Sequence, residues 1–334
     1  MKIVLLGEAY GEEEEKVGKP FVGTSGWILD QMLDQAGIAR KDCFITNVFN
    51  LRPKPNNNVE NLCGSKSEGI PGFPFLKRGK YVRAEYSKEL DRLWRELDRE
   101  RPNVIVALGA TAAWALCGSS GIKSIRGAAT LGRGFKVIPT YHPAAVARDW
   151  TLRPIVISDL DKAKRESEFP ELRRPERFIH IEPTLQDLIT FEYQYLRPAA
   201  AISADIETRE NQITCIGFAP TEDRCLVVPF HSRTQPDGNY WRTLDDEMKA
   251  WAWVRRICAM NKPFIFQNGI YDAHVLWKQY GIPVPHMADD TMLMHHALQP
   301  EMEKGLGFLG SVYTSEAAWK FMRHSDNETL KKED

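Results

Sequence analysis

The chain has 334 residues, 43% of them hydrophobic and 27% charged, which is ordinary globular composition. At roughly 100–200 residues per domain, this length favours about two domains. Lys and Arg total 44 against 45 Asp and Glu, a net charge of -1, which argues against a uniformly basic nucleic-acid coat protein but leaves room for a local basic groove.

The opening run MKIVLLGEAY stops at Gly7, too early for a signal peptide, and reads as a buried strand over 2–9. Residues 25–36 carry apolar side chains at helical spacing, 42–50 read as a second strand and 86–99 as a charged amphipathic helix. NVIVALG (103–109) is a third strand with a helix opening at its carboxyl end. FKVIPTYHP (135–143) is a fourth, followed by a helix through 158–164. Strands alternating with helices predict a mostly parallel sheet between helical layers. Ligands in such sheets sit beyond the strand carboxyl ends, here Gly7-Glu8, Asn47, Gly109 and His142.

The charged segment around 166–176 contains two prolines and no apolar periodicity, so it reads as a linker between domains at 1–165 and 177–334. Beyond it the pattern restarts with strands at 178–182 and 200–208, an antiparallel pair at 213–220 and 223–230, and helices at 185–196 and 245–260. A strand at 263–268 and helices at 271–280 and 290–298 follow. This order predicts a mixed sheet with flanking helices. No apolar run approaches the roughly 18 residues of a membrane span. The six cysteines contain no C-x-x-C pair, so reduced thiols in a cytoplasmic protein are expected.

GEAYGEEEEKVGKPFVGTSG, ITNVFNLRPKPN and TYHPAAV follow strands in that order. Together they resemble the family 4 uracil-DNA glycosylases, whose motifs read Gly-Glu-x-Pro-Gly with a downstream Pro-Phe-Val-Gly, Thr-Asn-Val and His-Pro. The resemblance covers about residues 1–165 and implies a three-layer α/β glycosylase fold. Such an enzyme flips its base and reads it in a pocket. Phe21 would stack on the base, and the Asn47 amide, with one donor and one acceptor, would match the 4-oxo group and the N3–H of uracil. His142 would face the 2-oxo group, where charge gathers as the uracil anion leaves. Glu8 and the Ala9 backbone would line the pocket, with Glu8 either orienting water or stabilising an oxocarbenium-like sugar. Glu14 would help exclude the thymine methyl.

This sequence departs from the family at Tyr10, where the motif has Pro, and it has no counterpart of the family's iron–sulfur cysteines, so no cluster is expected. For DNA contacts, Val146 occupies the slot of an apolar wedge, with Arg148 after it. Lys77, Arg78, Lys80 and Arg83 lie among aromatics in 69–83, a composition suited to phosphates and unstacked bases. Arg126 adds a candidate phosphate contact.

In the second half, Asp205 and Glu207 share one strand face, and Asn268 and Asp272 one helix face. Asp205, Glu207 and Asp272 are hard oxygen ligands suited to Mg²⁺ or Mn²⁺. These motifs resemble the 3′–5′ exonuclease domain of family A DNA polymerases, which implies an RNase H-like fold. Asp290 reads as a helix N-cap. The family's Tyr-x-x-x-Asp motif is missing, since Tyr313 is followed at the fourth position by Ala317. The whole resembles the front part of a phage polymerase bearing a glycosylase, so the expectation is that either the sequence stops short of the missing motif or another polypeptide, a DNA polymerase, supplies it. The expected activity is uracil removal from DNA. The alternative is a non-catalytic uracil reader that recruits or pauses a polymerase.

Overall fold

The computed structural model describes residues 2–316. Contacts divide the chain into two units: one runs up to Arg173 and takes back residues from Gly307 onward, and the other is Arg174–Leu306.

In the first unit, β1 (Ile3–Ala9) is apolar on both faces, as a strand covered on both sides must be. Ile3 and Leu5 enter one core, while Val4 and Leu6 enter the other. The acidic run forms a short helix, α1 (Glu12–Val17). Four glutamates in its first turn sit at the positive end of the helix. α2 (Thr24–Gln35) buries Ile28, Leu29, Met32 and Leu33. β2 (Cys43–Phe49) is followed by a long connection pinned by the small pair β3 (Cys63–Gly64) and β4 (Tyr81–Val82). α3 (Ser87–Glu100) buries Leu90, Leu93 and Leu97, the stripe of an amphipathic helix. Then come β5 (Val104–Leu108), α4 (Ala110–Cys117), α5 (Ile122–Ile125), β6 (Thr130–Gly132), β7 (Phe135–Thr140), α6 (Pro143–Arg148) and α7 (Arg153–Glu166).

The sheet order is β2-β1-β5-β7-β6, parallel except for the edge strand β6. α2 and α7 pack with Val104 and Val106 on one face, and α3 and α4 with Ile105 and Ala107 on the other. This is a three-layer α/β architecture. The carboxyl ends of β1, β2, β5 and β7 lie along one edge, so Glu8, Asn47, Gly109 and His142 are neighbours in space though far apart in sequence.

The second unit contains β8 (Phe178–His180), α8 (Leu185–Phe191), β9 (Ile202–Arg209), β10 (Gln212–Thr221), β11 (Arg224–Pro229) and α9 (Leu244–Cys258). β12 (Phe264–Phe266), α10 (Gly269–Tyr280), β13 (Met287–Asp290) and α11 (Thr291–Leu298) complete it. The order β13-β12-β9-β10-β11-β8 places β10 antiparallel to both neighbours and β12 and β13 parallel to β9. Counted from β9, that is the 3-2-1-4-5 arrangement of an RNase H-like sheet, with β8 added at the outer edge. α12 (Leu306–Tyr313) is the last element among the described residues, and from Gly307 on it groups with the first unit. Ala317 and the residues after it lie outside the described residues. Among the described residues, no helix is long and apolar enough to cross a membrane.

Candidate active site

A cavity of about 850 Å³ opens at the carboxyl edge of the first sheet. Glu8, Ala9, Tyr10, Glu14, Phe21, Asn47, Lys77, Arg78, His142 and Arg148 all line it.

Asn47 ends β2 and is 2% exposed. Its main-chain carbonyl accepts from Arg92 at 2.8 Å, and Arg92 also holds Val48 O and pairs with Glu89 and Glu96. That clamp fixes the strand end from behind and leaves the amide facing the cavity. Gly7 stands directly beside it. A Cβ there would lie 2.2 Å from Asn47 Oδ1 and 2.6 Å from the Phe21 ring, so only glycine lets the three pack.

Phe21 is 6% exposed and adopts the left-handed backbone region at φ 54°, uncommon for a bulky residue. Three contacts hold it there. Glu14 Oε1 accepts from Val22 N and Gly23 N at 3.1 and 3.0 Å, Arg40 donates to Phe21 O at 2.9 Å, and Gly26 makes room for that carbonyl. Glu14 thus builds the turn that presents Phe21. The Phe21 ring stacks on His142 with centroids 5.6 Å apart.

His142 is the N-cap of α6, and its Nδ1 accepts the Ala144 N–H at 3.1 Å. The proton of the neutral ring therefore sits on Nε2. Burial, and then the Arg148 charge, push its pKa down to about 4, with Glu14 opposing. The ring is neutral at pH 7 and offers one N–H donor. Glu8 accepts from the Thr111 hydroxyl. Burial raises its carboxyl above the usual range, while Thr111, Lys77 and Arg148 hold it back. Tyr10 donates its main-chain N–H to Leu51 O at 3.1 Å, a bond a proline could not make, and its hydroxyl reaches Gly18 O at 3.2 Å.

Two expected DNA contacts are overturned. Val146 has 0% exposure and belongs to the core between α2, α6 and α7, so it is no wedge. On α6, Pro143 and Val146 share the inward face at i, i+3, and Ala144, Ala145 and Arg148 line the cavity instead. Arg126 is 2% exposed and gives its Nε and Nη2 to Asp159 at 3.0 and 2.5 Å, so it cannot reach a phosphate. Lys77 and Lys80 both pair with Glu60, at 2.7 and 3.3 Å. Lys80 lies outside the cavity wall. The segment around them is packed as well as basic: Phe73 tilts on Trp114 at 5.3 Å, and Trp114 Nε1 donates to Pro74 O.

Thr111, Arg92 and Gly26 went unremarked in the sequence, and Gly7 was noted only as a strand end. The GATAA run after β5 was the available signal for Thr111, since a hydroxyl two residues into a helix at the ligand edge points across the strand ends.

In the second unit, Asp205 and Glu207 lie on β9 and Asp272 on α10. Asp272 is 3% exposed and accepts Ile206 N at 2.9 Å. Burial pushes its pKa up to about 6 against that hydrogen bond, with Asp205 adding to the rise. Asp290 caps α11 and also takes the N–H groups of Asn268 and Gly269 at 3.0 and 2.8 Å. Among the described residues, no group of three His, Cys, Asp or Glu side chains is placed to hold a metal ion. Asp205, Glu207 and Asp272, expected to bind Mg²⁺ or Mn²⁺, do not form such a group here.

The profile of the Uracil DNA glycosylase superfamily matches residues 1–168. The type-4 uracil-DNA glycosylase of Thermotoga maritima is 38% identical over 169 residues, covering 49% of this chain and 76% of that protein. That of Archaeoglobus fulgidus is 36% identical over 170 residues, covering 48% and 74%. Among solved structures, the EXD2 exonuclease domain aligns at TM-score 0.26 and 15% identity over 36% of this chain. Escherichia coli RNase D, an exoribonuclease, aligns at TM-score 0.32 and 18% identity over 42% of it. The chain spans 59% and 34% of the lengths of these two.

Proposed function

The chain belongs to the uracil-DNA glycosylase superfamily through residues 1–168, and on that premise we propose that it removes uracil from DNA by hydrolysing the N-glycosidic bond after the base is flipped out. The observation that carries this reading is the convergence of the Asn47 amide and a neutral His142 on one cavity, with Phe21 between them. The flipped base slides along Phe21. The Asn47 amide donates to the 4-oxo group and accepts from N3–H, a pairing that cytosine cannot satisfy. His142 Nε2–H donates to the 2-oxo group as negative charge collects there, and a donor so placed is worth roughly 10²–10³ in rate. A neutral donor suits this task, because it needs no proton at neutral pH to stay in place.

Glu8 faces the same cavity, held by Thr111. It either orients the attacking water or stabilises the sugar cation, and both roles need the carboxylate fixed. Lys77, Arg78 and Arg148 line the cavity as cations for the strand's phosphates. Tyr10 and Glu14 border the base site and set which 5-substituents enter. The test is release of free uracil from a uracil-containing strand, measured chromatographically in one turnover. The wild type releases it, and His142→Ala releases it at least about 10²-fold more slowly. Equal rates would reject the site.

For the second unit we infer an exonuclease-like nucleic-acid module that is at best weakly active alone. The supports are its strand order and the position of Asp205, Glu207 and Asp272 around β9. A polymerase polypeptide carrying Tyr-x-x-x-Asp is the partner proposed to complete it, in a replication and repair setting.

A further inference from the structure

The first unit contains a buried charge cluster that the proposed chemistry does not use. Asp159, with 0% exposure, accepts from Arg126 and, at 2.6 Å, from Thr140 Oγ1. Lys162, 4% exposed, donates to Gly127 O at 3.0 Å. Arg126 pairs with this carboxylate and the Lys162 charge acts on it through space, and buried cations need their donors satisfied. The missing acceptors come from the far end of the described chain. Lys162 Nζ donates to Ser311 O, Arg126 Nη1 to Ser311 Oγ at 2.8 Å, and Ser158 Oγ to Val312 O at 3.3 Å. These are last-turn groups of α12, where carbonyls lack helical partners and the helix end carries partial negative charge. The fit is close: a Cβ on Gly127 would lie 2.6 Å from Ser311 O, and Leu309 is 5% exposed.

The cluster grips the strand that leads to His142. Thr140 ends β7, two residues before the histidine. Its carbonyl accepts Gly109 N at 2.8 Å, and Gly127 N donates to Pro139 O at 3.0 Å. Gly109 in turn is in van der Waals range of His142, because a Cβ there would lie 2.9 Å from the His142 Cβ. We propose that α12 is a positioning element of the uracil site: by completing the Arg126–Asp159–Lys162 cluster it holds the end of β7, and with it His142, in its working place. Residues encoded after the second unit thereby control the chemistry of the first. This inference rests on the uracil-excision reading above.

The test uses the full chain with Leu309→Asp, which undocks α12, and Ser311→Ala, which removes one hydroxyl. Single-turnover uracil release is compared with affinity for a strand carrying a 2′-fluorinated uridine that resists cleavage. Limited proteolysis followed by mass spectrometry reports whether 306–313 is protected. The expected result is protection in the wild type and exposure in Leu309→Asp. The Leu309→Asp rate falls about 10- to 10²-fold, since a misplacement of about 1 Å costs that much, and Ser311→Ala falls less. Affinity for the uncleavable strand stays within about twofold in both, the rate-against-binding split of positioning. Equal proteolysis of wild type and Leu309→Asp overturns the docking. Unchanged rates in both variants overturn the positioning role, as does an unchanged rate in Ser311→Ala alone if Leu309→Asp does not fold. A wild type that releases no uracil would instead refute the reading of the site itself.

Discussion

Replacing the Asn47 amide with a carboxylate changes its chemistry and almost none of its volume. The side chain is 2% exposed and packed against Gly7, while the Arg92 clamp holds the main-chain oxygens of Asn47 and Val48 and the Thr46 hydroxyl, not the Asn47 amide. Asn47→Asp should therefore leave β2 and the cavity shape intact. It removes the one donor available to the 4-oxo group of uracil and adds an acceptor that repels it. An unpaired polar group in a buried reading site costs about 1–3 kcal/mol, or roughly 5- to 150-fold in rate. Negative charge near the departing uracil anion pushes toward the upper end. The carboxylate can accept from the amino group of cytosine, so the ratio of uracil to cytosine release should fall further than the uracil rate. The assay is single-turnover release from end-labelled strands carrying one uracil or one cytosine, with circular dichroism to check the fold. A folded Asn47→Asp protein that releases uracil within about twofold of wild type would refute the assignment of Asn47 as the reader.

Gly7→Ala should abolish uracil binding in a protein that still folds, because the new methyl would fall 2.2 Å from Asn47 Oδ1; uracil titration monitored by thermal shift checks it. Thr111→Val removes the hydrogen bond that holds the Glu8 carboxyl down, so the pH at which Glu8 titrates should move upward, read as a displaced acid limb of the pH–rate profile. His142 titrates near 4 in the folded chain against 6.5 ordinarily, so on acidification the unfolded chain takes up its proton first. The stability it contributes is full above pH 6.5 and is lost toward pH 4, and urea melts of wild type and His142→Gln should converge across that window. Finally, a 3′-labelled strand without uracil should be shortened poorly with Mg²⁺ or Mn²⁺; vigorous shortening abolished by Asp205→Ala would show that a competent metal site forms.

Much of the site was legible because its parts end strands. Glu8, Asn47 and His142 each follow an apolar run of β-type residues, and a parallel sheet must bring such ends to one edge. Tyr10 was visible as a departure, but not that its N–H finds Leu51 O. Val146 was misread because the slot after His-Pro says nothing of which way a six-residue helix turns its faces. Arg126 looked like a surface cation because its partner Asp159 lies 33 residues away on another element. The Asp-x-Glu strand and the Asp272 helix were read correctly as neighbours. Whether their oxygens point at a common ion is a matter of side-chain placement that spacing does not encode. The return of α12 to the first unit had no signal in its own residues, since Ser311 and Leu309 acquire their roles only opposite Lys162 and Arg126.

The most direct test incubates the protein with two end-labelled single strands, identical except that one carries a single uracil where the other has thymine, and then treats both with hot alkali. Removal of the base leaves an abasic site that alkali cleaves. The predicted result is one break at the uracil position and none in the thymine strand. An intact uracil strand after excess enzyme would contradict uracil excision and leave a protein that only binds the base.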